Sequence, residues 1–435
     1  MDTQLLAALA LALITFAAFS GRLERSPLTA PMVFVAVGLC VGPSGLGILH
    51  VDFEHPLFHL LAELTLVLVL FIDAARIDVR RLVKEHGLPV RMLGIGMPLT
   101  LIAGLVLAKL LFPEISIWQA AVVAAILTPT DAALGQAVVS NSRVPVRIRQ
   151  TLNVESGLND GIALPAVVIL LSCLGHAESQ GNDAFWTLFT AKQVIFGPLV
   201  GAVVGWLGGK IVVWGGRTGY MSHVFQHLSA IALSLAAFSW AELVGGNGFI
   251  AAFVAGLVLG NTTVGVCECL YDFGEAEGQL LALLVFMIFG AALVPQALAH
   301  ADAKVWIYAL GSLTVVRILP VMLSLVGSGL RWDSQLFLGW FGPRGIASIL
   351  FGLLLIEEVH GEAGEMLLGI VIVTVLASVV LHGASAYPGA VRYGDRVERL
   401  GEEAAEHQRV GEMRPRIRSK EDQLASLAGT SGDRE

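Results

Sequence analysis

Apolar runs long enough to cross a bilayer recur thirteen times in this chain. They lie at roughly 4–20, 28–49, 57–75, 89–113, 115–140, 151–174, 192–214, 225–243, 247–262, 278–296, 303–327, 335–356 and 365–386. A helix needs about 20 mostly apolar residues to span the hydrocarbon core, where every backbone polar group must be satisfied within the protein. The expected fold class is therefore an all-α polytopic membrane protein of about 13 transmembrane helices. Composition agrees: only 14% of the 435 residues are charged, against about 25% in a soluble domain. The first run, Leu5–Phe19, has no basic lead and no small-residue cleavage site, so it is read as a membrane helix rather than a signal peptide.

Charge placement fixes an expected orientation. With the N-terminus outside, thirteen Lys and Arg fall in inside loops before the tail, and only Lys109, Lys192 and Lys304 fall outside. The excess marks the cytoplasmic side, giving N-terminus out and C-terminus in, even though the loop at 267–277 is acidic. Nine of the 27 Lys and Arg lie in the last 44 positions. The chain is thus divided into a membrane domain, 1–390, and a short polar cytoplasmic tail, 391–435, too small and too charged to build its own core. The net charge of −8 argues against a nucleic-acid partner. The four cysteines, Cys40, Cys173, Cys267 and Cys269, are read as reduced and structural, without zinc spacing.

Seven ionisable residues fall inside apolar spans: Glu63, Asp73, Asp131, Glu155, Asp160, Arg317 and Arg344. Each costs about 2.5–3.5 kcal/mol at a helix centre on insertion scales. Five acids against two bases cannot all be structural ion pairs. Some acids must be protonated, solvated, or neutralised by something that comes and goes.

The densest stretch runs from Asn153 to Gly161. Ser156 and Asp160 stack one helical turn apart, as do Glu155 and Asn159, and Glu155 and Asp160 point about 140° apart. One acid can therefore be tied to an arginine while the other alternates between proton and cation. A hard cation stripped of water takes oxygen ligands, and Asp160, Ser156 and the amide oxygen of Asn159 could supply three within a turn. Leu127-Thr128-Pro129-Thr130-Asp131 interrupts the fifth span and Phe341-Gly342-Pro343-Arg344-Gly345 the twelfth. Each proline sits beside a charge, and the two charges have opposite sign, suited to the partial charges at half-helix ends. Paired interruptions in two halves point to inverted repeats with a site near the midplane.

The run Val154-Glu155-Ser156-Gly157-Leu158-Asn159-Asp160-Gly161, preceded by Thr128-Pro129-Thr130-Asp131, resembles the sodium/proton exchanger family, in its bacterial and archaeal branch marked by an Asn-Asp pair. The Gly-Pro-Arg-Gly run at 342–345 and nearly all of residues 1–390 share the likeness. The resemblance implies the sodium/proton antiporter fold: two crossed, broken helices, a six-helix core and a separate dimerisation part that makes a homodimer. It also implies roles. Asp160 would carry ion and proton, Ser156 and Thr130 would complete the Na+ shell, and Asn159 would hold the site together, where electrogenic relatives carry a second Asp. Glu155 would pair with Arg317, and Asp131 and Arg344 would neutralise half-helix ends. Two features depart from the pattern or stay open. Ala132 follows Thr130-Asp131 where the family often has proline, and the third-span acid fits Asp73 better than Glu63.

The expected activity is exchange of a monovalent cation (Na+, with Li+ or K+ compatible) for H+ across the inner membrane, by competition at Asp160 and without a cofactor. With Glu155 occupied by Arg317, one carrier acid gives one cation per proton and an electroneutral cycle. A channel would need a continuous polar pore, whereas these polar residues cluster at one depth. An enzyme is not expected: His176, His223, His227, His300, His360 and His382 lie mostly near span ends, with no Ser/His dyad, zinc spacing or phosphate-binding loop. A pH sensor without transport is the remaining class.

Overall fold

The structure is a computed structural model, and it describes residues 3–410 except 24–25, 49–55, 80–81, 83–86, 180–182, 263–267, 360, 402 and 409. Cys267, the side chain of Cys269 and the tail beyond residue 410 lie outside the described residues. Among the described residues there is no strand. Every one of the thirteen apolar runs contains a helix or a pair of half-helices. Seven helices are long and apolar enough to cross a membrane by length and composition, and shorter apolar helices lie between them.

Several helices exceed their apolar runs. The site-bearing helix covers Val146–Ser179, the next Asp183–Thr218 and the last Glu362–Val397. Their polar ends extend past the segment that hydropathy detects. The second run behaves oppositely, with helix only over Ala30–Val41. Small residues let helices approach closely, as is usual where lipid supplies no hydrophobic drive for association. The Gly248–Thr262 helix lies so near Pro56–Ala75 that a Cβ at Gly256 would strike the Phe71 backbone, and one at Gly260 the Ala75 backbone.

Both proline-marked spans are broken. Ser116 opens the fifth with a capping box, its Oγ accepting from the Gln119 amide at 3.1 Å while Gln119 Oε1 accepts from the Ser116 amide at 2.9 Å. That half-helix, Ile117–Ile126, ends at the Thr128-Pro129 turn and is followed by Ala132–Val139. The twelfth divides into Trp332–Trp340 and Ile346–Glu358 around a non-helical 341–345. A third interruption, which no glycine or proline marks, divides the eleventh span at Thr314 (φ −109°, ψ −91°) into Ala303–Leu313 and Val315–Ser324. Arg317 sits in the first turn after it.

The chain continues to pack beyond residue 390. The last helix runs to Val397, and the segment after it folds back. Glu406 is buried, accepting from the Arg331 amide at 3.0 Å and from Ser334 Oγ at 2.8 Å at the start of Trp332–Trp340. Tyr393 donates to the same Ser334 hydroxyl at 2.9 Å, and Arg147 donates to the Ala405 carbonyl.

Candidate functional site

The two breaks cross, and each supplies what the other lacks. A broken helix exposes N–H groups at one cut end and carbonyls at the other. Asp131 serves the N-terminal ends: Oδ1 accepts from the Ala133 amide at 2.7 Å and Oδ2 from the Ile346 amide, in the opposite break, at 2.8 Å. Arg344 serves a C-terminal end, with Nη1 donating to Thr128 O at 2.5 Å and Pro129 O at 3.0 Å. Ser348 Oγ donates to Ile126 O at 2.8 Å, and the Asp131 amide donates to Pro343 O at 2.7 Å. Both charges lie where the half-helix dipoles favour them.

The glycines of the Gly-Pro-Arg-Gly run give this crossing its room. A Cβ at Gly345 would fall on the Asp131 carboxylate, and one at Gly342 would lie 2.8 Å from Cζ of Arg317. Gly345→Ala is therefore expected to displace Asp131 and cost about 1–3 kcal/mol from overpacking, with cation exchange lost in step. Thermal unfolding in detergent checks this, and a variant as stable as the parent would contradict the close approach.

Glu155 and Arg317 form a buried pair, each 2% exposed, with Arg317 Nη2 2.6 Å from Oε1 and 2.7 Å from Oε2 of Glu155. One helical turn along, Asn159 faces the fifth-span break. Its Nδ2 donates to Thr130 O at 3.1 Å and to Thr130 Oγ1 at 2.5 Å. Because a carbonyl can only accept, this contact fixes the orientation of the amide. The Thr130 hydroxyl also meets Ser156 Oγ at 3.1 Å. Thr130, Ser156 and Asn159 thus form one hydrogen-bonded knot between the site helix and the break.

Two oxygens beside that knot are left over. Oδ1 of Asp160 and Oδ1 of Asn159 are both buried with no hydrogen-bond partner among the described residues. Asp160 also lies within the field of Asp131. The other charged groups at the crossing each have partners, Glu155 in Arg317, Asp131 in amides and Arg344 in carbonyls, although Nε of Arg317 and Nε and Nη2 of Arg344 have none among the described residues. Asp73 is buried on Pro56–Ala75, one turn before Ile77, whose Cδ1 approaches Gly157 of the site helix. Glu63 lies on the same helix and borders a small cavity with Phe249 and Leu350.

Sequence reading missed one buried group here. His382, placed among the histidines near span ends, lies well inside Glu362–Val397, which extends eleven residues beyond its apolar run, and is buried beside the twelfth-span break. Its ring is 4.9 Å from that of Trp340, and its Nδ1 is 3.1 Å from Ser378 Oγ. The one available signal was a histidine followed by small residues, Gly383-Ala384-Ser385, before Tyr387-Pro388.

A multi-pass helical membrane protein with two crossed, mutually capped breaks and an unmatched acid beside them is the class that fold and site define. The family profile described as "Sodium/hydrogen exchanger, transmembrane" matches residues 8–390, and the chain belongs to that family. It is 29% identical over 372 residues to the K+/H+ antiporter NhaP of Alkalimonas amylolytica, covering 82% of this chain and 61% of the relative. To the K+/H+ antiporter NhaP2 of Shewanella sp. strain MR-4 it is 27% identical over 362 residues, covering 81% and 61%. The chain thus spans about three fifths of the length of these curated relatives. Its fold is that of the sodium proton antiporter MjNhaP1 from Methanocaldococcus jannaschii, with a TM-score of 0.72 at 20% identity, covering 90% of this chain and 97% of that one.

Proposed function

We propose that the chain is a secondary antiporter exchanging a monovalent cation for H+, with Asp160 as carrier. The observation that carries this reading is the pair of unmatched oxygens on Asp160 and Asn159 beside the Thr130–Ser156 knot. Buried acceptors that no donor satisfies suit a hard cation. A proton on Asp160 would neutralise the same carboxylate, so ion and proton compete for it. An empty, charged Asp160 would have to cross a low-dielectric barrier, at a cost of several kcal/mol. Only the protonated or cation-loaded form moves, and this enforces exchange. Thr130 and Ser156 complete the ion's shell with their hydroxyls, while Asn159 holds the break to the site helix. Na+ is the first expectation and Li+ is compatible. K+ is the alternative that the names of the bacterial relatives favour.

With Glu155 occupied by Arg317, the cycle is electroneutral. The protein sits in the inner membrane with its N-terminus outside and its C-terminus in the cytoplasm, as a homodimer whose membrane domain is residues 1–390. Everted vesicles carrying a quenched pH dye test the central claim when Na+, Li+ and K+ are added in turn. At least one cation is expected to dequench the dye, with an endpoint that an imposed membrane potential does not move. No response to any of the three would overturn the antiport reading. An endpoint that follows the potential would overturn electroneutrality alone.

A further inference from the structure

We propose that Ser378 and His382 are a second support of the crossing, with His382 a positioning residue that holds the Arg344 turn against the cation site. The non-helical stretch 341–345 leaves the Arg344 amide without a helical acceptor. That amide donates to Ser378 Oγ at 2.6 Å. The same oxygen is 3.1 Å from His382 Nδ1, which is also 3.2 Å from Ser378 O. Because the Ser378 carbonyl can only accept, Nδ1 carries a ring proton and donates to Ser378. The hydroxyl oxygen that accepts from the Arg344 amide is therefore held in place by the imidazole.

His382 touches the break from its other side as well, because its ring packs on Trp340, the last residue of the preceding half-helix. Its Nε2 is buried, and the Trp340 backbone acts on the ring. The charges that act on the ring are those of Arg344 and Arg317. Tyr308, on the neighbouring Ala303–Leu313 helix, is buried and acts on Arg344. Asp131, on the break that Arg344 crosses, is held by backbone amides. His300, Lys304 and Glu358, on other elements packed against the last helix, are exposed. The ring thus braces the turn whose Arg344 side chain holds the Thr128 and Pro129 carbonyls next to Thr130. The link from ring to site is three contacts long and uses no group assigned to the transported ion.

This inference rests on the antiport reading for its effect on transport, but not for its geometry, so two measurements are made on the whole protein. Hydrogen exchange of the 341–346 peptide, followed by mass spectrometry, reads the support directly. Protection is expected to fall about fivefold in Ser378→Ala and in His382→Leu. His382→Asn, whose amide can reach the Nδ1 position, is expected to keep it. In dye-quench vesicles His382→Leu is expected to raise the apparent KM for the cation, and His382→Asn to restore it. Wild-type protection of 341–346 in Ser378→Ala and His382→Leu overturns the support. A wild-type KM in His382→Leu overturns its positioning role. Should His382→Leu fail to fold, Ser378→Ala and His382→Asn carry the same comparison. If wild-type vesicles exchange nothing, the antiport reading fails, while hydrogen exchange still decides whether the support exists.

Discussion

Asp160→Asn is expected to abolish cation–proton exchange while leaving a folded protein in the membrane. The substitution keeps the size and one carbonyl oxygen of the side chain but removes the charge of the carboxylate whose Oδ1 has no hydrogen-bond partner among the described residues. An amide neither takes a proton near neutral pH nor neutralises a cation, so both halves of the cycle are lost together. Stability should hold or rise slightly, because a buried charge that nothing balances is itself costly. The informative result is therefore a split. Size-exclusion profile and melting temperature stay within the parent's range, while dye dequenching falls to background for every cation tried. Retained exchange would move the carrier role to another acid, with Asp73 the next to test.

Glu155→Ala is expected to act on the fold instead. Removing one partner of a fully buried ion pair leaves the other charge stranded, at about 3–5 kcal/mol. Arg317 has no route to water at 2% exposure, and its Nε already lacks a partner among the described residues. A clear fall in melting temperature should follow. Glu155→Leu combined with Arg317→Met should recover much of it, since a well-packed apolar pair often replaces a buried salt bridge without loss. Unchanged thermal stability in Glu155→Ala would show that the pair does not hold the eleventh span to the site helix. The two variants separate the acids of one helical turn: one is needed for exchange, the other for the scaffold.

The parts of the fold that follow from local rules could be read from the sequence. Apolar run length located the helices, and Pro129 and Pro343, each close to a charge, marked the breaks, whereas Pro165, Pro198 and Pro388 sit inside continuous helices. The site turn was legible because helical spacing alone puts Ser156 under Asp160 and turns Glu155 away. The details that long-range contacts decide were not legible. Thr314 carries no helix-breaking chemistry, yet the helix is interrupted there. Asn159 offered an amide oxygen to a cation equally well whichever way it turned. Only the approach of the Thr130 carbonyl fixed its nitrogen inward and left Oδ1 free. Glu406 lies in a polar stretch that hydropathy assigns to solvent, but the amide of Arg331 and the hydroxyl of Ser334 bury it. His382 was discounted for standing near the end of an apolar run, and the helix continues well past that end.

The mutual capping of the two breaks also has a consequence for how the chain is made. Thr128 and Pro129 are synthesised about 215 residues before Arg344, the side chain that takes up their carbonyls. At about 5–20 residues per second, that interval is on the order of ten to forty seconds. Throughout it the fifth-span break holds carbonyls that no side chain of the twelfth span can yet reach, in a segment already destined for hydrocarbon. The first half of the protein therefore cannot close its own site. Until the twelfth span arrives, water or the insertion machinery must satisfy those carbonyls, and the crossing sets in one late step.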